Sequence, residues 1–266
     1  MINPETTLIK IRSKAILDLQ KIKKAFSRSA KFQELANSYN EEEKSYLVEV
    51  QYKSYPSWKD NILVYVKQLY EIALRLLVKN EIESSKLAIK FIHDIYLKHL
   101  EMRSGSFIKI PASTLPMVYT FDDQNFTTSI LEYLESYSNR IIQENRKENI
   151  VHLLQIYRSI FAYSLDIVYA KNRTTDNNNP IAATILGYYE VFANKVIISS
   201  DINSIWELIK ITKQIQKSIL QKNDDPFLIE RIDLVFEKIS LHLNDNPEIE
   251  GRNIFAVEVV QAYLDR

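Results

Sequence analysis

Apolar positions along this chain recur every three or four residues, the period of one face of an α-helix. The pattern is clearest between residues 58 and 102. Ile62, Val66, Leu69, Tyr70, Ala73 and Leu77 fall on one face, and Leu63, Leu74 and Leu76 widen it, which predicts neighbours on more than one side. Beyond a turn at Lys79, Asn80 and Glu81, a second stripe runs through Ala88, Phe91, Ile92, Ile95 and Tyr96. Lys86, Lys90, Asp94, Lys98 and Glu101 are expected on its polar outer side. Pro56 bars any preceding helix from running on, and Ser57 can cap the next one. The short connection makes the two helices antiparallel neighbours that hide their stripes against each other and against the next pair.

Later segments follow the same logic. Ile130, Leu134, Tyr137 and Ile141 share a face, as do Ile150, Leu153, Leu154, Tyr157, Phe161, Leu165 and Val168. Trp206, Ile209, Thr212, Gln216 and Ile219 form another stripe, opposite Lys210, Lys213 and Lys217. Asp225 is placed to cap a helix opened by Pro226, whose stripe is Leu228, Ile232, Val235, Phe236, Ile239 and Leu243. Ile254, Phe255, Val259 and Tyr263 mark a short last helix. The expected fold is all-α, without β-sheet: antiparallel helical hairpins at about 58–102, 125–171, 180–221 and 225–264, as a superhelix or an irregular bundle. Residues 1–55 are expected as a basic helical segment packed on a hairpin domain of 56–266.

Trp58 and Tyr65 have the spacing of the Trp and Tyr in the tetratricopeptide unit. At the level of architecture the chain resembles tetratricopeptide and HEAT-like helical-hairpin proteins. The resemblance implies a superhelix whose concave side holds other proteins. Asn61 and Ile62 stand where that unit has Leu-Gly, so the likeness carries over no binding residue.

Composition sharpens this picture. Only three glycines occur, too few for the tight turns and phosphate loops of α/β and β-rich folds. Sixteen tyrosines and eleven phenylalanines supply bulk for helix interfaces. The absence of cysteine rules out disulfides and thiolate metal sites, and fits a reducing compartment. A formal net charge of zero argues against a general nucleic-acid binder. No run of about 18 uncharged apolar residues predicts a membrane span. Met1, Ile2, Asn3, Pro4 and Glu5 do not open a signal peptide.

Two segments depart from the hairpin scheme. Residues 4–38 read as one or two helices, and a further helix is expected at 40–54. From Met1 to Lys31 there are eight bases and two acids, a net charge of +6. A basic amphipathic helix can lie on an anionic membrane surface, with Lys21, Lys23, Lys24 and Arg28 as candidate contacts, or simply pack on the array. Residues 104–124 hold Gly105, Pro111 and Pro116, and the expectation is a long apolar connection. Phe107, Met117, Tyr119 and Phe121 are its candidate ligand or partner contacts.

His93-Asp94 is the metal-binding dipeptide of all-α HD phosphohydrolases, but no upstream histidine accompanies it, and a surface pair is the expected reading. His99 continues an apolar face and is expected in the core. Asp122 and Asp123 glance at the first acidic motif of helical terpene synthases, but Phe126 replaces its third acid. Acids at a helix start explain them. No glycine-rich phosphate loop or nucleophile elbow occurs. No cofactor is expected. The sequence therefore points to a non-enzymatic interaction scaffold, located in the cytoplasm or at the inner face of a membrane. Its partner would be another protein, with an anionic membrane surface as a further contact of residues 4–31. The alternative is a small-ligand protein or enzyme with a pocket under residues 104–124.

Overall fold

Asparagine does the work of glycine where the helices of this chain turn back. Asn80 has φ of 61° and Asn145 has φ of 51°, the left-handed region that ends many helices. At the first turn the amide of Glu81 donates to the carbonyl of Leu76, and that of Asn80 to Leu77. At the second, Arg146 donates to Ile141 and Asn145 to Ile142. Both are Schellman closures, which satisfy the last carbonyls of one helix within three residues of the next.

The structure is a computed structural model, and it describes residues 4–36, 55–104, 116–165, 180–199, 202–222, 225–249 and 251–264. The side chains of 21–36, 55–60, 101–104, 116–124, 222 and 263–264 lie outside that description. The described elements are α1 (Pro4–Ala36), α2 (Tyr55–Val78), α3 (Ile82–Ser104), α4 (Pro116–Gln143), α5 (Lys147–Ser164), α6 (Pro180–Ser199), α7 (Ile202–Lys222), α8 (Pro226–Asp245) and α9 (Arg252–Leu264). The chain is all-α, an arrangement of antiparallel helical hairpins, with no strand among the described residues. The helix expected at 40–54 lies outside them. α4 begins at Pro116 rather than near residue 125, so the expected long connection is in part helix. Proline suits a first helical turn, because the amide it lacks would have no partner there.

The chain divides into two units, Met1–Ile130 and Leu131–Arg266. In the first, α2 and α3 form the expected hairpin, and α1 packs on both. Ile62, Val66, Leu69, Ala73 and Leu77 of α2 meet Ala88, Ile92, Ile95 and Tyr96 of α3 in the core. Leu8, Ala15 and Leu19 of α1 are fully buried. The Ser85 hydroxyl donates to the Ala73 carbonyl at 2.9 Å, and Tyr96 donates to Thr127 on α4 at 2.9 Å.

The second unit is built in two layers. α5 packs on α7 and α7 on α9, while α6 packs on α8; α5–α6, α7–α8 and α8–α9 join the layers. α8 shows local sequence and packing agreeing. The Asp225 side chain accepts from the Phe227 amide at 3.0 Å, Pro226 opens the first turn, and all six residues of the predicted stripe are buried. α6 alone among the described helices is long and apolar enough to cross a membrane, although Glu190 and Lys195 interrupt its apolar run. Half of that window is buried within the fold, and it is the core helix of the α6–α8 layer.

Leu69 is fully buried and Phe91 nearly so. Leu69→Ala should cost about 2–5 kcal/mol and Phe91→Ala about 3–5 kcal/mol. Urea unfolding followed by circular dichroism measures both, and a loss near zero would mean that the faces of α2 and α3 are drawn wrongly.

Candidate interaction face

Lys21, Lys23, Lys24 and Arg28 lie along α1, and Met117, Tyr119 and Phe121 along the first turns of α4. Their side chains lie outside the described residues, and Phe107 does so entirely. These candidate contacts therefore fall outside the described residues.

The His93-Asp94 pair is in a different setting from the one expected. Asp94 is not on an outer face, because α1 covers it. The Arg12 guanidinium reaches Asp94 through Nε at 3.0 Å and Nη2 at 2.9 Å, and lies 5.1 Å from the centre of the Phe91 ring. His93 Nδ1 stands 3.5 Å from the other carboxylate oxygen. Burial alone would raise the Asp94 pKa. The hydrogen bond from His93 and the positive charge of Arg12 outweigh it and hold the carboxyl below its usual range. Oδ2 is engaged in docking α1 while Oδ1 faces His93 of its own helix, which gives these residues a structural role. His99 is buried as expected, its ring 4.3 Å from that of Phe126 and stacked on Tyr96 at 6.4 Å. Among the described residues no group of three or more His, Asp or Glu side chains is placed to hold a metal ion.

The second unit keeps its polar atoms at helix interfaces. Asn149 donates to the Tyr137 hydroxyl at 2.7 Å, joining α4 to α5. The Tyr189 and Thr212 hydroxyls are 2.6 Å apart, joining α6 to α7. The Tyr157 hydroxyl is buried and makes no hydrogen bond with the described residues. Burial first, then the nearby Glu135 carboxylate and Tyr188, push its pKa up, so it stays neutral. The cost of an unmatched hydroxyl is about 1–3 kcal/mol. Burying an aromatic ring, at about 200 Å² and about 25 cal/mol per Å², yields about 5 kcal/mol and decides the balance.

The α6–α8 layer presents an apolar outer surface, and α9 also exposes Ile254, Val257 and Val260. The helical period places Val191 and Ile198 opposite the buried side of α6, and Leu234 and Leu241 opposite that of α8. All four are exposed, as is Phe227. Two ion pairs flank the crest of α6. Lys195 meets Glu135 of α4 at 3.1 Å. Arg231 of α8 meets Glu190 of α6 through Nε at 2.7 Å and Nη2 at 2.9 Å, and donates to the Ala183 carbonyl at 3.0 Å. Arg231 also lies 5.6 Å from the centre of the Phe227 ring. Gly187 makes room for this clamp, since a Cβ there would stand 3.2 Å from Arg231 Nη2. Sequence periodicity identified the buried stripes but gave no weight to the apolar residues left outside them. Their recurrence at seven-residue intervals on α6 and α8 was the available signal.

No family model and no curated protein sequence matches this chain. Among solved structures it is similar to a computationally designed, self-assembling cyclic protein homooligomer, at 13% sequence identity and a TM-score of 0.52, over 96% of this chain and 95% of that one. At that identity the likeness speaks for the all-helical fold alone.

Asp94 generates a pH prediction. A carboxylate with a depressed folded pKa stabilises above its unfolded value, 3.8 for the unperturbed group, and loses that contribution as pH falls through the folded pKa. The stability difference between wild type and Asp94→Asn should be constant near neutral pH and shrink progressively below about pH 4. Urea unfolding across that range tests it; a difference that grew with acidity would refute the Arg12–Asp94 assignment.

Proposed function

We propose that this chain is a non-enzymatic interaction scaffold of the helical-repeat type, holding a partner protein against the outer side of α6 and α8. The observation that supports this reading is the apolar crest of Val191, Ile198, Leu234 and Leu241, set beside two cross-helix ion pairs. Aliphatic side chains on neighbouring helices give a partner area to bury. The Arg231–Glu190 clamp fixes the spacing of the two helices before the partner arrives, so less ordering is needed on binding. Helix packing of i on i+2 within each layer is the geometry from which helical-hairpin superhelices are built, and such arrays hold partners along an exposed helix surface.

The test is affinity purification with cross-linking from the native source, comparing wild type, Val191→Asp/Leu234→Asp and the control Ile254→Asp. Ile254 is more exposed than either residue and belongs to α9. The double variant should lose the partner that wild type and control both retain. All three should unfold within about 0.5 kcal/mol of one another, because the substituted positions are on the surface. Retention by the double variant would sink the proposed face. Concentration-dependent self-association lost only in the double variant would identify the partner as a second copy.

A further inference from the structure

α1 has two faces with different occupants, and one of them is uncovered. Its inner side is committed to the fold: Leu8, Ala15 and Leu19 are buried, and Arg12 is held by Asp94 and Phe91. Its outer side carries Ile9 and Leu17, each more than half exposed, together with exposed Lys10 and Lys14. Ile9, Ser13 and Leu17 follow one another at four-residue intervals, so they form one line along the helix, with Lys10 and Lys14 beside it. Thr6, Ser13 and Gln20 complete that exposed side, and no exposed acid interrupts it between residues 6 and 20. Farther along the helix, residues 19–33 contain five bases and no acid.

We propose that this outer face of α1 docks on an anionic lipid surface, with Ile9 and Leu17 entering the headgroup boundary and Lys10 and Lys14 meeting lipid phosphates and carboxylates. The choice of a membrane over an acidic protein rests on charge and shape. The face carries Lys10 and Lys14 with no exposed acid between residues 6 and 20, and a single line of residues on a helix meets a plane from end to end. Apolar residues amid lysines match the layered chemistry of a bilayer surface, where a purely electrostatic contact would need no exposed isoleucine or leucine. Because the inner face stays packed, α1 docks as part of the first unit. The unit then need not release Leu8, Ala15 and Leu19 from its core. This inference is independent of the α6–α8 face.

The experiment is sedimentation of the full chain with vesicles of phosphatidylserine and phosphatidylcholine in equal parts, and with vesicles of phosphatidylcholine alone. Wild type should bind the mixed vesicles, bind the neutral ones far more weakly, and lose binding as salt rises. Lys10→Gln/Lys14→Gln should lower partitioning about 25-fold, at about fivefold for each lysine at an anionic surface. Ile9→Ser/Leu17→Ser should lower it about tenfold or more while leaving the thermal unfolding midpoint nearly unchanged, since both positions are exposed. Equal binding to neutral vesicles, or binding that survives the Ile9→Ser/Leu17→Ser replacement, would overturn the proposal. Absence of binding to either vesicle would also overturn it and return the face to an acidic protein partner.

Discussion

A tyrosine in a helical core brings a large apolar ring and one hydroxyl that must be matched, and this fold depends on where those hydroxyls go. Tyr96, Tyr137, Tyr157 and Tyr189 are among the largest fully buried side chains. Three of them bond to a neighbouring helix: Tyr96 to Thr127, Tyr137 to Asn149 and Tyr189 to Thr212. Each bond joins consecutive helices, α3 to α4, α4 to α5 and α6 to α7. Apolar stripes alone tolerate sliding, because one leucine fits nearly as well as the next against a ridge of leucines. A buried hydroxyl bonded across the interface resists the slide, since a slip of one residue breaks that bond. Longer-range polar contacts extend this control between helices that are not consecutive. Arg231 ties α8 to α6, Lys195 ties α6 to α4, and Lys213 meets Glu258 at 2.7 Å to tie α7 to α9.

The scarcity of glycine follows from the same way of building. Helices that meet through tyrosine, phenylalanine and isoleucine stay apart and seldom need a missing Cβ. The turns at Asn80 and Asn145 obtain the left-handed conformation from asparagine, whose short polar side chain tolerates it better than other side chains do. Gly187 is the place where close approach matters, and what approaches is the guanidinium of Arg231. A glycine in the middle of α6 costs about 0.5–1 kcal/mol relative to alanine. That cost is acceptable where the alternative crowds a paired charge at a helix–helix contact.

How much of this was legible in the sequence differs from level to level. The stripe of α8 was readable residue by residue, and the cap at Asp225 with it, because period and capping are local rules. The burial of Thr212 and Gln216 was readable too, since both fall on the apolar side of α7. The environment of Asp94 was not. Its polar flank looked solvent-facing until Arg12, 82 residues away in sequence, came to cover it. The start of α4 was misplaced because two prolines in a greasy segment suggested a loop, although a proline at Pro116 also opens a helix. Partner choice among the helices was hidden as well. Short links suggested consecutive hairpins, whereas α6 also packs on α8 and α7 on α9. Nothing in a single helix's pattern says which of several apolar neighbours will share its layer.

The same use of polar groups bears on what the protein can do. Chemistry needs polar side chains that converge on one point with unused valence. Here Tyr96, Thr127, Tyr137, Tyr189 and Thr212 are each engaged across a helix interface, and Asp94 is engaged with Arg12. Tyr157 points to no second group of that kind, and its environment keeps the phenol protonated. Groups that hold register cannot at the same time move protons without loosening the interface they define. Apolar and basic side chains are presented outside, on the crest of α6 and α8 and on the lysine-lined side of α1. Both are surfaces of helices whose opposite sides are clamped by buried packing and an arginine–carboxylate pair. Polar pairs placed between helices thus fix the spacing of the helices that carry these faces.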